Sequence, residues 1–574
     1  MKKTQLWLIL IILVGLAIRL HNLTYHSFWF DEAISISWAQ QNAARILEVG
    51  FTLEEDRLPP LYYLTLKGWA TLVGYGEFAV RTLSVFYGVL LIPLVGRLGR
   101  QLFGRPVAVT AALLVAINPF LVWYAQEARM YAPAVFWGTL AVWAWLVVTD
   151  ETTNRSGSAT RLTRRAVGFA CLFVLAITAA LYSHLYAGSL LPALGLWTVI
   201  SKPRQWRLWL MFLTGSLVAT LAYSPILLAI WRFSGEAVPG EPFSGLFDRA
   251  WWLLKAFIVW QAPLPMGWQV TLPIIVSIFA LLAFLPAPDS SAGQTSKFAY
   301  PRLLVTSLLL VPFGIATLLL YRNYLAIFGE RSFIIMVPWL LLLDGAGANR
   351  AASWFSWLAG GHPYVAALLR SLPSVILLAS SVMALPGQWS VPASKEAWRQ
   401  SVSYLARQVR AEDGILIHPD WVRYPFQYYF KGPGQTYAAF STVTEETPLD
   451  GPLRGVINNH PILWLVQSHI DDPDPARRVE QWLANRYPLV TEQYPPGLSI
   501  KAFAPGYQLR QLPAEAIPTD VSFENGMRLA GYFSEPSVTA ADDLFHPPSG
   551  WLHVTLYWTA VKPVAADATP FVRI

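Results

Sequence analysis

The chain has 574 residues, of which 55% are apolar and only 13% are charged, and its mean hydropathy is +0.41. Soluble domains carry about 25% charged residues, so this composition excludes a soluble protein and indicates a polytopic membrane protein. The net charge of +7 comes from basic residues scattered in short loops, which excludes a nucleic-acid partner. The single cysteine, Cys171, excludes an intrachain disulfide.

The N-terminus combines Lys2 and Lys3 with an apolar run from Leu6 to Leu20. No small-x-small cleavage site precedes Arg19, so a retained signal anchor is predicted. Apolar runs of spanning length, about eleven in all, lie near 5–21, 79–97, 106–124, 131–149, 166–186, 187–201, 208–231, 267–286, 303–321, 332–347 and 364–386. The Trp-rich segment 251–262 reads as re-entrant or interfacial.

Basic residues mark one side of these spans. With alternating spans, Lys2 and Lys3 share a side with later basic loops that contain Arg97, Arg100, Arg105, Arg155, Arg161, Arg164, Arg165, Lys202, Arg204, Arg207, Lys297 and Arg302. That side is predicted to be cytoplasmic. The N-terminus is then cytoplasmic, the C-terminal region is extracytoplasmic, and a multi-pass protein of a bacterial plasma (inner) membrane is predicted.

The first outer loop, roughly 22–78, holds the adjacent carboxylates Asp31 and Glu32 directly after Phe28-Trp29-Phe30. Apolar residues from Asp31 to Leu47 recur at near-helical spacing, and a second segment from Leu58 to Val73 begins with prolines. Two amphipathic helices on the membrane surface are predicted. Asp31 has two compatible interpretations, as the cap of the first helix or as a carboxylate that faces a cavity above the spans.

The composition changes after 385–387, where charged residues become frequent. Helices near 395–410 and 476–487 and strands near 413–417 and 462–466 predict a small extracytoplasmic α/β domain over 389–512, with a short aromatic segment at 424–430. Alternation at 552–558 and a strand opening at 570–574 predict a β-rich segment over 513–574. These residues are too few for a β-sandwich, so a truncated one is expected.

Five polar clusters fall on the predicted outer side. They are Asp31-Glu32, the segment 56–63, the segment 124–131, the segment 182–186 and the segment 328–333. Each cluster alone has a structural explanation, such as an exposed ion pair or an interfacial anchor. Their convergence on one face of a chain so poor in charge favours a functional site.

These motifs carry a resemblance to a known family. FDEA in the first loop, then D-x-x-PPLYY, GRQLFG at 99–104 and NPF-x-x-WYAQEARMYA occur in this order. The chain resembles the GT-C superfamily of membrane glycosyltransferases over roughly 1–350. It is similar to the bacterial branch related to protein O-mannosyltransferases and the lipid A aminoarabinose transferase (family 39/83-like), so 1–388 is expected to be a GT-C-like catalytic domain.

The resemblance implies an inverting transfer of one sugar from a polyprenyl-phosphate donor to a hydroxyl of a lipid, protein or glycan at the outer face. Asp31 corresponds to the family's first-loop acid and is expected to be the base, with Glu32 as a neighbour or second acid. The sugar pocket is expected to include Asp56, Tyr62, Glu127, Arg129 and His184. Arg331, with Arg322 as a second candidate, is expected to hold the lipid phosphate by forked hydrogen bonds. Leu58 stands where the family often has His before the prolines, and Ser332 follows Arg331 where Tyr is usual.

Two further classes remain open from the residues alone. A transporter or flippase of lipid-linked sugars would place ionisable residues or helix breaks at Gly or Pro near the middle of the spans, often in two related halves. The acids here instead cluster at one end of the predicted spans. A scaffold with an exported binding module leaves the loop acids unexplained. No cofactor is indicated, and a divalent metal is compatible with the adjacent carboxylates without being required by them.

Overall fold

The computed structural model describes residues 3–56, 58–153, 163–233, 245–286, 298, 300–321, 329–358, 363–390, 393, 395–505, 511–534 and 554–562. The chain divides into two compact units, Met1–His26 with Asp31–Ala393 and Ser27–Phe30 with Ser394–Ile574. The main division thus lies a few residues after the predicted boundary at 388. The further predicted boundary at 512 stays a prediction.

The first unit is helical. Its helices are α1 Lys3–Leu20, α2 Phe30–Gln40, α3 Ala43–Thr52, α4 Leu61–Val73, α5 Glu77–Phe103, α6 Arg105–Ile117, α7 Pro119–Ala125, α8 Tyr131–Thr153, α9 Arg164–Ser183, α10 Leu190–Ser201, α11 Trp206–Ala222, α12 Ser224–Phe233, α13 Leu246–Ile258, α14 Met266–Leu282, α15 Pro301–Tyr321, α16 Val337–Leu358 and α17 Pro363–Ala384. Short 3₁₀ helices cover Leu185–Ser189, Glu330–Met336 and Leu385–Trp389.

Every predicted apolar run falls on one of these helices or on a bent pair of them. Within the described ranges, 6 helices are long and apolar enough to cross a membrane, or up to 8 if each bent pair is one span. The bent pairs are α6 with α7, at 54°, and α11 with α12, at 59°. The chain is therefore a multi-pass membrane protein, but α1, α10 and α14 are shorter apolar helices, so the predicted count of eleven is not confirmed.

Helix α16 forms the centre of this bundle. It packs against α6, α14, α15 and α17. Together with the 3₁₀ helix before it, α16 forms the span Glu330–Trp357, and 89% of the most apolar 18-residue stretch of this span is buried in protein. In contrast, only 22% of the corresponding stretch of α17 is buried. A helix that is apolar on all sides is expected to be buried, and α16 follows that expectation, whereas α17 presents most of its apolar surface outward.

The predicted first outer loop contains three helices rather than the predicted two. The predicted helix from Asp31 to Leu47 is interrupted, because α2 ends at Gln40 and α3 begins at Ala43. The Asn42 side chain accepts a hydrogen bond of 2.8 Å from the Arg45 N–H and so caps α3. The helix predicted after the prolines is observed as α4, which starts directly after Pro60.

The second unit contains helices α18 Trp398–Gln408, α19 Arg423–Tyr429, α20 Asp450–Ile457 and α21 Arg478–Ala484, and strands β1 Gly414–His418, β2 Gln435–Ala438, β3 Leu463–Gln467, β4 Leu489–Gln493, β5 Ser499–Phe503, β6 Ile517–Ser522, β7 Met527–Ser534 and β8 Val554–Ala560. Five strands form a sheet in the order β2-β1-β3-β5-β4, in which β1, β2 and β3 are parallel and β5 is antiparallel to β3 and β4.

Both faces of this sheet are covered. Ile415 and Trp464 point into an apolar core that includes α18 and α19, whereas Leu416 and Leu465 point into a second core that includes α20 and α21. Every residue of β1 and β3 is buried, as expected for parallel strands between two helical layers. The predicted aromatic segment near 424–430 is helix α19.

The C-terminal strands form a three-stranded antiparallel sheet in the order β6-β7-β8. Strand β8 covers most of the predicted strand at 552–558, whereas the predicted strand at 570–574 lies outside the described residues. The segment Ser27–Phe30 also belongs to the second unit. There the Phe28 N–H donates a 2.7 Å hydrogen bond to the Tyr429 hydroxyl, and the Phe30 ring lies 4.6 Å from that of Trp421.

Substitution in the central strand tests the covered sheet. Leu465 is fully buried in β3, and Leu489 at the sheet edge is 45% exposed. We expect Leu465→Ala to lower the free energy of unfolding of the second unit by about 2–5 kcal/mol. The matched control Leu489→Ala should change it by about 0.5 kcal/mol or less. Native-state hydrogen exchange of β1 and β3 measures both, and equal effects would contradict the layered core.

Candidate functional site

Asp31 lies in the first turn of α2, inside the helix rather than before it. Its carboxylate Oδ2 accepts a 3.1 Å hydrogen bond from Arg331 Nη1 and lies 3.5 Å from Arg129 Nη2. The side chains are 16% exposed for Asp31, 32% for Arg331 and 7% for Arg129. Two guanidinium groups therefore share one carboxylate at a partly open position.

Arg129 is held by several groups around the start of α2. Its Nη1 donates to the Asp31 carbonyl and to the Ser35 hydroxyl, each at 3.1 Å. The Arg129 carbonyl accepts a 3.3 Å hydrogen bond from Ser84 Oγ on α5. Burial opposes the charge of Arg129, but the carboxylates of Asp31 and Asp56 raise its pKa above the usual value. Arg129 therefore stays cationic beside Asp31.

Glu32, the second predicted catalytic acid, lies in a sealed environment. Its Oε1 accepts hydrogen bonds from Arg81 Nε and from the Ala128 N–H, both at 2.8 Å, and its Oε2 accepts one from Arg81 Nη2 at 2.7 Å. The two side chains are 0% and 1% exposed. Both carboxylate oxygens of Glu32 thus bond to protein groups, in contrast to the more accessible carboxylate of Asp31.

Asp56 lies in the loop before α4 and forms another part of the site. Its Oδ2 accepts a 2.5 Å hydrogen bond from the Tyr63 hydroxyl, and its Oδ1 accepts one of 3.1 Å from the Leu58 N–H. Burial raises the pKa of Asp56, while the Tyr63 hydrogen bond and the charge of Arg129 oppose that rise. Burial also raises the pKa of Tyr62 and Tyr63, so both phenols keep their protons.

His184 follows α9 and faces the arginines. Its ring lies 5.9 Å from that of Tyr131, and its Nδ1 accepts a 3.3 Å hydrogen bond from the Tyr186 N–H. Burial lowers the pKa of His184, and the positive charges of Arg331 and Arg129 add to this effect, so that the pKa is about 4. The imidazole is therefore neutral at pH 7.

The remaining predicted residues are placed as follows. Glu127 is 1% exposed in the loop between α7 and α8, and its charge acts on the Tyr62 phenol. Arg331 is the second residue of the 3₁₀ helix before α16, and its guanidinium lies 6.0 Å from the Tyr131 ring centroid. Arg322 lies outside the described residues.

The structure also adds residues that sequence reasoning did not select. Ser35 and Tyr63 bond directly to predicted site residues, and Arg81 bonds to Glu32. Of these three residues, only Arg81 could have been selected from the sequence, because a lone charge at the start of an apolar span is costly unless it has a partner. The contacts of Ser35 and Tyr63 depend on how α2, α4 and the loops next to them fold together.

The arrangement can bind an anion through its two arginines and places this anion beside a carboxylate that can accept a proton. Two guanidinium groups provide forked donors that match a phosphate, and the Asp31 carboxylate lies between them. Within the described ranges, no group of three or more His, Cys, Asp or Glu side chains is placed to hold a metal ion. A divalent metal therefore gains no support from these residues and stays an open prediction.

The sequence matches no protein-family model and no curated protein. The fold is similar to ArnT from Cupriavidus metallidurans in the apo state, at 13% identity and a TM-score of 0.53, over 86% of this chain and 97% of that one. ArnT bound to undecaprenyl phosphate gives 13% identity, a TM-score of 0.52 and coverage of 86% and 98%.

The chain has the fold of these ArnT structures. At this identity the likeness establishes the fold alone. It confirms the expected fold class, a helical membrane part followed by small sheets. A weaker likeness, to the Archaeoglobus fulgidus oligosaccharyltransferase tethered with an acceptor peptide, has a TM-score of 0.48 at 12% identity and covers 89% of this chain and 75% of that one.

The protonation state of His184 can be measured directly. We expect its imidazole nitrogen signals to stay those of the neutral ring from pH 8 down to pH 5.5, because its pKa is about 4 instead of 6.5. Nitrogen-15 NMR of histidine-labelled protein gives the titration, and the signal absent from His184→Gln identifies the residue. A midpoint near 6.5 would mean that the ring is not enclosed beside two cations.

Proposed function

We propose that this protein is an inverting glycosyltransferase that moves one sugar from a polyprenyl-phosphate donor to an acceptor hydroxyl at the outer face of the membrane. The observation that carries the proposal is the Asp31 carboxylate between Arg129 and Arg331, partly exposed and on the GT-C fold. This constellation offers a base and a phosphate site side by side.

In the proposed step, the acceptor hydroxyl gives its proton to the Asp31 carboxylate as its oxygen attacks the anomeric carbon. The bond between that carbon and the phosphate oxygen breaks, and the polyprenyl phosphate leaves with the electron pair. One displacement from the face opposite the phosphate inverts the anomeric centre and needs no covalent sugar–enzyme intermediate. A single base near the acceptor therefore suffices.

Arg331 and Arg129 have different roles in this proposal. Arg331 is the more exposed of the two and would receive the donor phosphate, while the buried Arg129 keeps the Asp31 backbone and carboxylate in place. The donor phosphate would then lie next to the Asp31 carboxylate, because Arg331 contacts that carboxylate at 3.1 Å.

The donor class is supported by a protein with a similar fold. ArnT from Cupriavidus metallidurans, which shares this fold, has been solved with undecaprenyl phosphate. A polyprenyl phosphate brings an anionic head group and an apolar tail, and the site pairs two arginines with a bundle of apolar helices. We propose the same lipid class as the leaving group here, with Arg322 as a second phosphate contact.

The sugar pocket is proposed to consist of Asp56, Tyr62, Glu127, Arg129 and His184. Their hydroxyl, carboxylate and guanidinium groups suit the hydroxyls of a sugar, and a neutral His184 can donate or accept a hydrogen bond without adding charge. The proposed topology keeps these residues outside, with the N-terminus in the cytoplasm of a bacterium and the second unit extracytoplasmic.

A transfer assay separates the proposal from a transporter. Protein purified in detergent is incubated with a panel of polyprenyl-phosphate sugars and with lipid and glycan acceptors, with and without a chelator, and the products are identified by mass spectrometry. Transfer in detergent supports the enzyme, because a flippase needs two membrane faces. Movement of lipid-linked sugar across liposomes without any product would instead support a carrier.

Asp31→Asn tests the base. We expect turnover to fall by about 10²- to 10⁴-fold, because the amide cannot take the acceptor proton, while the affinity for polyprenyl phosphate is retained. The control is Glu48→Gln, which removes an exposed carboxylate on α3 and should leave turnover unchanged. Transfer at the wild-type level by a folded, inserted Asp31→Asn protein would show that the base is another group.

Arg331→Ala tests the phosphate site. Loss of a charge-assisted hydrogen bond costs about 1.5–3 kcal/mol, so the Kd for polyprenyl phosphate should rise roughly 10- to 150-fold. Calorimetry or native mass spectrometry measures the Kd, and Arg45→Ala on α3, which removes ion pairs with Glu48 and Glu55, is the control. Unchanged donor affinity with lost turnover would place the phosphate elsewhere.

A further inference from the structure

Arg81 lies near the outer end of α5 and has no role in the proposed chemistry. It is one of the largest fully buried side chains described, although it is charged. Desolvation of such a group is costly unless its donors are satisfied. The contacts that satisfy it connect parts of the chain far apart in sequence.

Three outer segments meet at this guanidinium. Arg81 Nη1 donates to the carbonyls of Leu23 and His26, at 2.8 and 2.9 Å, in the segment that follows α1. Its Nε and Nη2 form the forked pair with Glu32 in α2. Glu32 in turn accepts the Ala128 N–H of the loop between α7 and α8. One buried ion pair thus connects both outer loops to α5.

The residues on either side of these anchors are those of the proposed site. Asp31 precedes Glu32, and Arg129 follows Ala128. Ser84 lies almost one turn after Arg81 on α5 and donates to the Arg129 carbonyl. Displacement of either anchor would therefore move Asp31 and Arg129 relative to each other, and catalysis is sensitive to errors of about 1 Å.

We propose that Glu32 and Arg81 are a positioning pair, which sets the distance between Asp31 and Arg129 and transfers no proton. This inference rests on the proposed function for its consequence in catalysis, but not for its structural part. It gives Glu32 a role different from that of second acid, because both of its oxygens accept hydrogen bonds within the protein and neither is exposed.

The chemistry of the pair suits arginine specifically. A guanidinium offers rigid, planar donors that can bond a carboxylate in a fork and two carbonyls at once, whereas a lysine ammonium is a flexible point charge. Arg81→Lys therefore keeps the charge and loses the geometry. Glu32→Gln keeps the shape and loses the charge.

Hydrogen exchange tests the structural part without any substrate. In the full-length protein, we expect Arg81→Lys and Glu32→Gln to make amides of 126–130 exchange at least about fivefold faster, since a buried hydrogen bond to the Ala128 N–H is weakened. The matched controls are Arg45→Lys and Glu48→Gln, an exposed pair on α3. Unchanged exchange of this loop would overturn the proposal.

The combined variant Glu32→Gln/Arg81→Gln covers the case in which a single change leaves an unpaired buried charge and prevents folding. It removes both charges together, which buried sites tolerate better, but it also removes the rigid fork. We expect faster exchange of 126–130 in this variant as well. Protection equal to that of the unmodified protein would overturn the positioning role.

Kinetics test the consequence for transfer. We expect kcat to fall by about 10²-fold in Arg81→Lys and Glu32→Gln, with the shape of the pH profile unchanged, and the double variant Glu32→Gln/Arg81→Lys to lose less than the product of the two single losses. Loss of one limb of the profile in Glu32→Gln alone would overturn the proposal and make Glu32 an acid–base group. Absence of transfer by the unmodified protein would instead refute the proposed function, and hydrogen exchange would still decide the positioning role.

Discussion

The buried ion pair between Glu32 and Arg81 is the interaction on which the arrangement around the proposed site depends. Removal of one partner of a buried pair typically costs about 3–5 kcal/mol, because the other charge is left unsatisfied. Here the pair also satisfies the carbonyls of Leu23 and His26 and the N–H of Ala128. Its value therefore lies in specifying one arrangement of three segments rather than in net stability.

The site itself follows from that arrangement. Once Glu32 and Ala128 are anchored, Asp31 and Arg129 become neighbours, and Arg331 arrives from the segment before α16. In the proposed reaction, Arg331 receives the donor phosphate, while Arg129 keeps its contacts with the carbonyl and carboxylate of Asp31.

Much of the fold could be predicted from periodicity and composition. The apolar runs, the prolines before α4 and the segments of β1 and β3 all have local signals. The structure shows helices at the runs, α4 directly after the prolines, and the two strands. Local sequence signals were insufficient where contacts with other segments determine the secondary structure. The break between α2 and α3 depends on the Asn42 cap, and β2, β4 and β5 are short strands whose pairing partners lie elsewhere in the sequence.

The sequence by itself determined which chemical groups the loops between the apolar runs can offer, because a chain so poor in charge keeps its few loop acids and arginines only where they have partners or water. It therefore pointed to Asp31, Arg129, His184 and Arg331 as candidates. Only the tertiary structure decided how two adjacent carboxylates differ. Asp31 remains partly exposed between two arginines, whereas Glu32 is sealed against Arg81. Successive positions on a helix point about 100° apart. The packing of α5 and of the loop between α7 and α8 against α2 therefore gives each carboxylate its own environment.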